Sequence, residues 1–188
     1  MPHDLPHRNT VYGYFSRWSK DGTWEMIHTQ FVKKVRKQIL ERKKRPSAAS
    51  IDSQSVKTTS CGGEAIGYDG GKMVKGRKRF ILVDTCGLVL AVLVCAGNIS
   101  EKAGAMQLLE YIKHTGCLHE LCAKIQLVWA DGGYRGEDLI NFVKELWNWT
   151  WQIVMRTDDQ KGFKVLPRRW VVERTFSWFY QSRRLSKD

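Results

Sequence analysis

Acidic residues are scarce in this chain, 19 Asp and Glu against 31 Lys and Arg, so those set among apolar or basic neighbours are informative. Asp52 follows Ile51 in Ser50-Ile51-Asp52-Ser53, and Asp131 closes Val128-Trp129-Ala130-Asp131-Gly132-Gly133. Each stands where an apolar run gives way to polar or glycine residues, the place where an α/β scaffold presents functional groups. Glu173 lies amid Arg168, Arg169 and Arg174, beside Val171 and Val172. Carboxylates are hard-oxygen metal ligands. Three of them brought together can hold two Mg2+ ions about 4 Å apart, which activate an attacking oxygen and stabilise a leaving one. Taken singly, Asp52 reads equally well as a turn cap, Asp131 as the Asp of an Asp-Gly turn, and Glu173 as the i, i−4 partner of Arg169. Their order along the elements favours one shared site.

Those elements follow from periodicity. Ser50 to Lys57 predicts a strand, and the stretch from Cys61 to Gly76 is glycine-rich. Lys78 to Thr85 and Leu88 to Ala96, parted by Cys86-Gly87, predict a hairpin. A helix over Glu101 to His114, a strand over Lys124 to Ala130, a helix from Gly136 to about Leu146 and a strand over Trp151 to Met155 follow. Pro167 opens a last helix from Arg168 to about Leu185. The sum is an α/β fold with a mixed five-stranded sheet flanked by helices. Upstream, Thr10 caps one helix, Asp21-Gly22 stops it, and Thr23 caps a second that ends at Pro46 and carries Lys33, Lys34, Arg36, Lys37 and the run Arg42 to Arg45. Residues 1–46 are therefore expected as a basic helical segment and 47–188 as the main domain.

A net charge of +12 and a pI near 9.6 favour a polyanionic partner, because neutralising phosphates releases condensed counterions. Eight Trp, seven Phe and six Tyr supply the apolar area of a folded core and argue against a disordered basic tail. The piece Gly87 to Gly97 is far short of the roughly 20 apolar residues of a spanning helix, so no membrane partner is expected. The start Met1-Pro2-His3-Asp4 has no cationic stretch followed by an apolar one, which predicts a cytoplasmic location. Cys61, Cys86, Cys95, Cys117 and Cys122 read as free thiols.

Four ordered motifs carry a resemblance. They are Ile51 to Lys57, Gly67-Tyr68-Asp69-Gly70-Gly71-Lys72 with Met73 to Arg79, Ala130 to Gly136, and Arg168-Arg169-Trp170-Val171-Val172-Glu173-Arg174-Thr175-Phe176. Together they resemble the DDE transposases of IS5-type bacterial insertion sequences, over most of the chain from about Thr10 onward. The resemblance implies a ribonuclease H-like catalytic domain, Mg2+ (with Mn2+ as substitute) as cofactor, and Asp52, Asp131 and Glu173 as the catalytic, metal-binding triad. It also implies cleavage of DNA at the ends of the insertion element and strand transfer into target DNA. The partners implied are double-stranded DNA, as terminal repeats and as target, and a homodimer assembled on it. In the family's last motif a Tyr precedes the Arg by three residues and a Lys follows the Glu by seven. Leu166 and Tyr180 stand at those positions here, and Arg183 and Arg184, one turn on, are expected to supply charge toward the DNA. Relatives carry an additional amino-terminal region and a few more carboxy-terminal residues, so an upstream-frame partner or a shortened copy is expected.

Lys72 to Arg79 holds five basic residues in eight, and Lys72, Lys75, Arg77, Lys78 and Arg169 are expected as DNA contacts. The other reading of that segment is an edge strand guarded by charge. Trp147, Trp149 and Trp151 alternate as core-facing strand residues do. Two rival functions stand beside the transposase. One is a catalytically inactive, transposase-derived DNA-binding protein; the other is a zinc module on His114, Cys117, His119 and Cys122, whose spacing is denser than structural zinc sites use.

Overall fold

The structure, a computed structural model, describes residues 4–59, 63–155 and 169–186. The chain divides into two units, Met1–Lys44 and Arg45–Asp188.

In the first unit α1 (Arg8–Lys20) and α2 (Thr23–Gln38) flank a turn at Gly22, whose φ of 78° suits glycine. The α1 cap is His7 rather than Thr10: its ring accepts from the Asn9 N–H. α2 stops at Gln38, short of the expected Pro46. Arg36 turns inward there, its Nε donating to Lys43 O at 2.9 Å, so the basic run folds back over the last turn instead of extending it.

The second unit begins with β1 (Ala48–Lys57), β2 (Gly67–Asp69), β3 (Val74–Asp84) and β4 (Val89–Ala96). It continues with α3 (Glu101–His114), α4 (Gly116–Cys122), β5 (Leu127–Ala130), α5 (Glu137–Trp147), β6 (Thr150–Ile153), α6 (Trp170–Gln181) and α7 (Arg183–Ser186). β3 runs antiparallel to β1, and β2 and β4 both pair antiparallel with β3, while β1, β5 and β6 are parallel. This mixed order is the ribonuclease H-like sheet expected from the sequence, with β2 as a short extra strand. The parallel half requires crossovers, and α5 supplies the one between β5 and β6. The expected single last helix is instead α6 and α7, broken at Ser182.

Helices cover both faces. On one, Val171, Val172 and Phe176 of α6 pack on Ile81 and Val83 of β3. On the other, α3 buries Leu108, Leu109 and Ile112 completely, each worth about 1.5–3 kcal/mol. Its Gly104 lies so close to Phe80 that a Cβ there would sit 2.0 Å from the ring. No helix among the described residues is long and apolar enough to cross a membrane.

Candidate active site

The sheet register sets the site. Ser50 of β1 pairs with Trp129 of β5, so two residues further on Asp52 comes level with Asp131, on strands about 4.8 Å apart. β5 ends at Ala130, and the Asp131 carboxylate caps the tight turn Gly132–Tyr134 by accepting from the Gly133 N–H at 2.8 Å. Its other oxygen remains turned toward β1. Arg169, immediately before α6, enters between the two acids: its Nη2 is 3.1 Å from Asp52 Oδ2 and 3.6 Å from Asp131 Oδ2. One buried guanidinium thus serves two carboxylates from neighbouring strands.

Burial raises the Asp52 carboxyl to about 6, against the pull of Arg169 and of the hydrogen bond from the Ser53 N–H, with the Asp131 charge adding to the rise. Tyr134, fully buried, is held as a neutral phenol: burial is the main cause, and the carboxylates of Asp52, Asp131 and Glu101 act in the same direction. Sequence reasoning included Tyr134 in a motif without giving it a role. Its signal was an aromatic two residues after an Asp-Gly pair.

Glu173 lies in the first turn of α6 and is exposed, while its neighbours Val171 and Val172 enter the core. The structure does not bring it together with Asp52 and Asp131: among the described residues no three His, Cys, Asp or Glu side chains are placed to share a metal ion. The same holds for His114, Cys117, His119 and Cys122. α4 buries Cys122, and His119 packs its ring 5.2 Å from that of Trp147.

The basic segment divides into two kinds of residue. Lys72 and Lys75 are exposed, and Arg77 donates through Nε and Nη2 to Glu64 O. Lys78, expected as a DNA contact, is instead 3% exposed, its ammonium 3.1 Å from Asp69 and 3.2 Å from Glu101. From Lys78 onward β3 is covered on both faces, so the side chain is enclosed, and a lone cation is tolerated there only if paired. Asp69 also accepts from Ser55 Oγ at 2.5 Å and from the N–H groups of Gly71 and Lys72. Leu166 lies outside the described residues, as do the side chains of Arg183 and Arg184. Tyr180 is 56% exposed on α6.

The model of the transposase DDE domain family matches residues 43–188. The chain belongs to that family. No curated protein matches it. Among solved structures this transposase domain is similar to the piggyBac transposase of a synaptic complex with hairpin DNA, at 16% identity over 64% of this chain and 25% of that one, TM-score 0.37. It is also similar to the Mos1 transposase of a paired-end complex with the left transposon end, at 13% identity over 81% and 44%, TM-score 0.37. The catalytic domain of Mos1 mariner transposase matches at 12% identity over 85% and 66%, TM-score 0.38. The chain spans less than half the length of the first two.

DDE transposase domains generally use divalent metal ions, and the donor set in this one suits such an ion. Two hard-oxygen carboxylates already converge on one positive charge, and Mg2+ is commonly held by one or two carboxylates together with substrate phosphates. Asp52 and Asp131 are the residues that would hold it.

Proposed function

We propose that this domain is the catalytic part of an IS5-type transposase, which cleaves phosphodiesters at the ends of an insertion element and joins the freed 3′ ends to target DNA. The observation that carries this reading is the meeting of Asp52 and Asp131 across the parallel β1–β5 pair. A bound Mg2+ or Mn2+ would supply charge neutralisation at the reacting phosphate and a more acidic attacking water. Asp52 and Asp131 would hold that ion, and Glu173, exposed on α6 and apart from them in the structure, is the third carboxylate that this reading calls on. Arg169 takes a non-bridging phosphate oxygen, for which a planar guanidinium is suited. Tyr134 stays protonated beside the acids and adds no negative charge to the site.

DNA is the substrate class that the net charge of +12 favours. Lys72, Lys75 and Arg77 contact its backbone on the β3 side, and Arg183 and Arg184 do so beyond α6. Bringing two element ends together calls for a homodimer on DNA.

The exposed position of Glu173 favours a second reading, an inactive transposase-derived DNA-binding protein. The deciding experiment is nicking and joining of a plasmid carrying the DNA that flanks this reading frame, with Mg2+ or Mn2+, by the parent chain and by Glu173→Gln and Asp52→Asn. Cleavage by the parent alone supports the transposase. DNA binding without metal-dependent cleavage by any of the three supports the second reading.

A further inference from the structure

A densely hydrogen-bonded carboxylate lies outside the acid pair. Asp69 ends β2, and its two oxygens are used differently. Oδ2 faces the sheet, taking Ser55 Oγ at 2.5 Å and the Lys78 ammonium at 3.1 Å, and Lys78 also reaches Glu101 at the start of α3. Oδ1 faces the β2–β3 turn, accepting from the Gly71 N–H at 3.1 Å and the Lys72 N–H at 3.2 Å. β1, β2, β3 and α3 are therefore tied through one buried side chain to the backbone of a four-residue turn. A surface turn has no need of such an anchor unless its direction matters, because burying an ion pair costs desolvation that its mutual attraction only partly offsets.

What the anchor directs is Lys72. Its Nζ reaches back to Ser53 O at 3.3 Å, next to Asp52, while the side chain stays exposed. An ammonium has three donors; one is used on Ser53, and the others remain for an anion. Ser53 in turn gives its N–H to Asp52 Oδ1 at 2.7 Å. The cation is thus held one residue along β1 from the acid pair, close enough to meet the same stretch of DNA backbone.

We propose that Asp69 is a positioning residue that, through the Gly70-Gly71 turn, fixes Lys72 on a backbone phosphate flanking the one that Asp52 and Asp131 address. This rests on the transposase reading above. Generic electrostatics makes the opposite prediction, since removing the Asp69 charge leaves the protein more positive and should tighten DNA binding.

The test combines duplex binding with lysine footprinting. Anisotropy of a labelled blunt duplex is measured against salt, and amine acetylation with and without the duplex is read by mass spectrometry on the Lys72 peptide. The proteins are the parent, Lys72→Ala, Asp69→Asn and the milder Ser55→Ala, each checked for folding by circular dichroism. The duplex should protect Lys72 in the parent severalfold. Lys72→Ala should lower the slope of log K against log salt by about 0.9, the share of one phosphate. Asp69→Asn or, if it does not fold, Ser55→Ala should lose the Lys72 protection and show the same smaller slope although Lys72 is intact. Duplex binding by the parent with Lys72 unprotected overturns the inference and leaves the transposase reading standing, as does full Lys72 protection in the folded Asp69→Asn or Ser55→Ala protein. A parent that binds no duplex at all sinks that reading and the inference with it.

Discussion

Arg169 donates to Asp52 at 3.1 Å across 117 positions of sequence, and so ties the start of α6 to the middle of the sheet. The guanidinium is 9% exposed and the carboxylate 16%, so this is a largely desolvated pair, with Asp131 as a second acceptor of the same charge. Removing one partner of such a pair leaves the other charged and buried, which costs about 3–5 kcal/mol. Arg169→Met should therefore lower the metal-free stability by about that amount in urea titrations. The two acids would then face each other without a counter-charge, so MgCl2 should stabilise the variant more than the parent. Equal shifts in the two proteins would show that the guanidinium and the divalent ion do not share a seat.

Asp52 gives a pH dependence of definite sign. Its folded carboxyl titrates at about 6 against 3.8 when free, so the native state holds a proton that the unfolded chain releases. The associated stability is complete below about pH 4, is lost as pH rises through 6, and amounts to about 3 kcal/mol. Between pH 4 and pH 7 the parent should consequently lose more stability than Asp52→Asn, whose side chain cannot ionise, whatever constant offset the loss of the Arg169 partner adds. Paired thermal melts at the two pH values, without divalent metal, measure this directly.

Much of the frame was legible in the sequence because its signals are local. Apolar runs of Val, Leu and Ile on either side of Cys86-Gly87 marked the hairpin, the helical spacing from Glu101 marked α3, and the end of β5 marked Asp131, whereas Asp52 lies inside β1 instead of where that strand gives way to a loop. What could not be read was set by long-range packing. Lys78 carries no mark of being paired, since only the register of β3 and the nearness of Asp69 and Glu101 decide that it faces inward. Arg169 was expected as a DNA contact, and its place between Asp52 and Asp131 follows from how α6 docks. α4 was missed because seven residues are too few for a helical period to stand out, and β2 because three residues give no alternation.

Asp69 has the reverse pH signature. Burial opposes its ionised form, but the hydrogen bonds from Ser55, Lys78 and the Lys72 N–H outweigh that and bring the group down to about 2. A depressed carboxyl contributes stability that is full above the unfolded value near 4 and disappears as pH falls through 2, about 2 kcal/mol in all. Ser55→Ala removes the shortest of these bonds. Its acid unfolding midpoint should lie at higher pH than that of the parent, with little difference at pH 7 beyond the loss of one hydrogen bond, about 1 kcal/mol. Coincident acid limbs in a circular dichroism titration would remove Asp69 from the acid lability of the fold.

Gly87 links turn chemistry to the position of α6. The turn after β3 is closed by Asp84, whose Oδ1 accepts from the N–H groups of Cys86 and Leu88, and Gly87 sits within it at φ 89°. α6 docks on this turn, with Arg174 Nη2 donating to Cys86 O at 2.7 Å and Thr175 Oγ1 to Gly87 O at 3.1 Å. A Cβ at Gly87 would meet Arg174 Nη2 at 2.7 Å and Val171 at 3.3 Å, and it would also force a side chain into the left-handed region. Gly87→Ala should cost about 1–3 kcal/mol. Because Arg169 immediately precedes α6, the same substitution should loosen the Arg169–Asp52 contact and so narrow the stability gap between the protein with and without Arg169→Met. Gly70→Ala is the matched control, since nothing lies within 4 Å of a Cβ there, and it should change stability by less than about 1 kcal/mol. A double-mutant cycle between Gly87→Ala and Arg169→Met, read by urea denaturation, measures the coupling; strict additivity would mean that the turn holds α6 without influencing the acid pair.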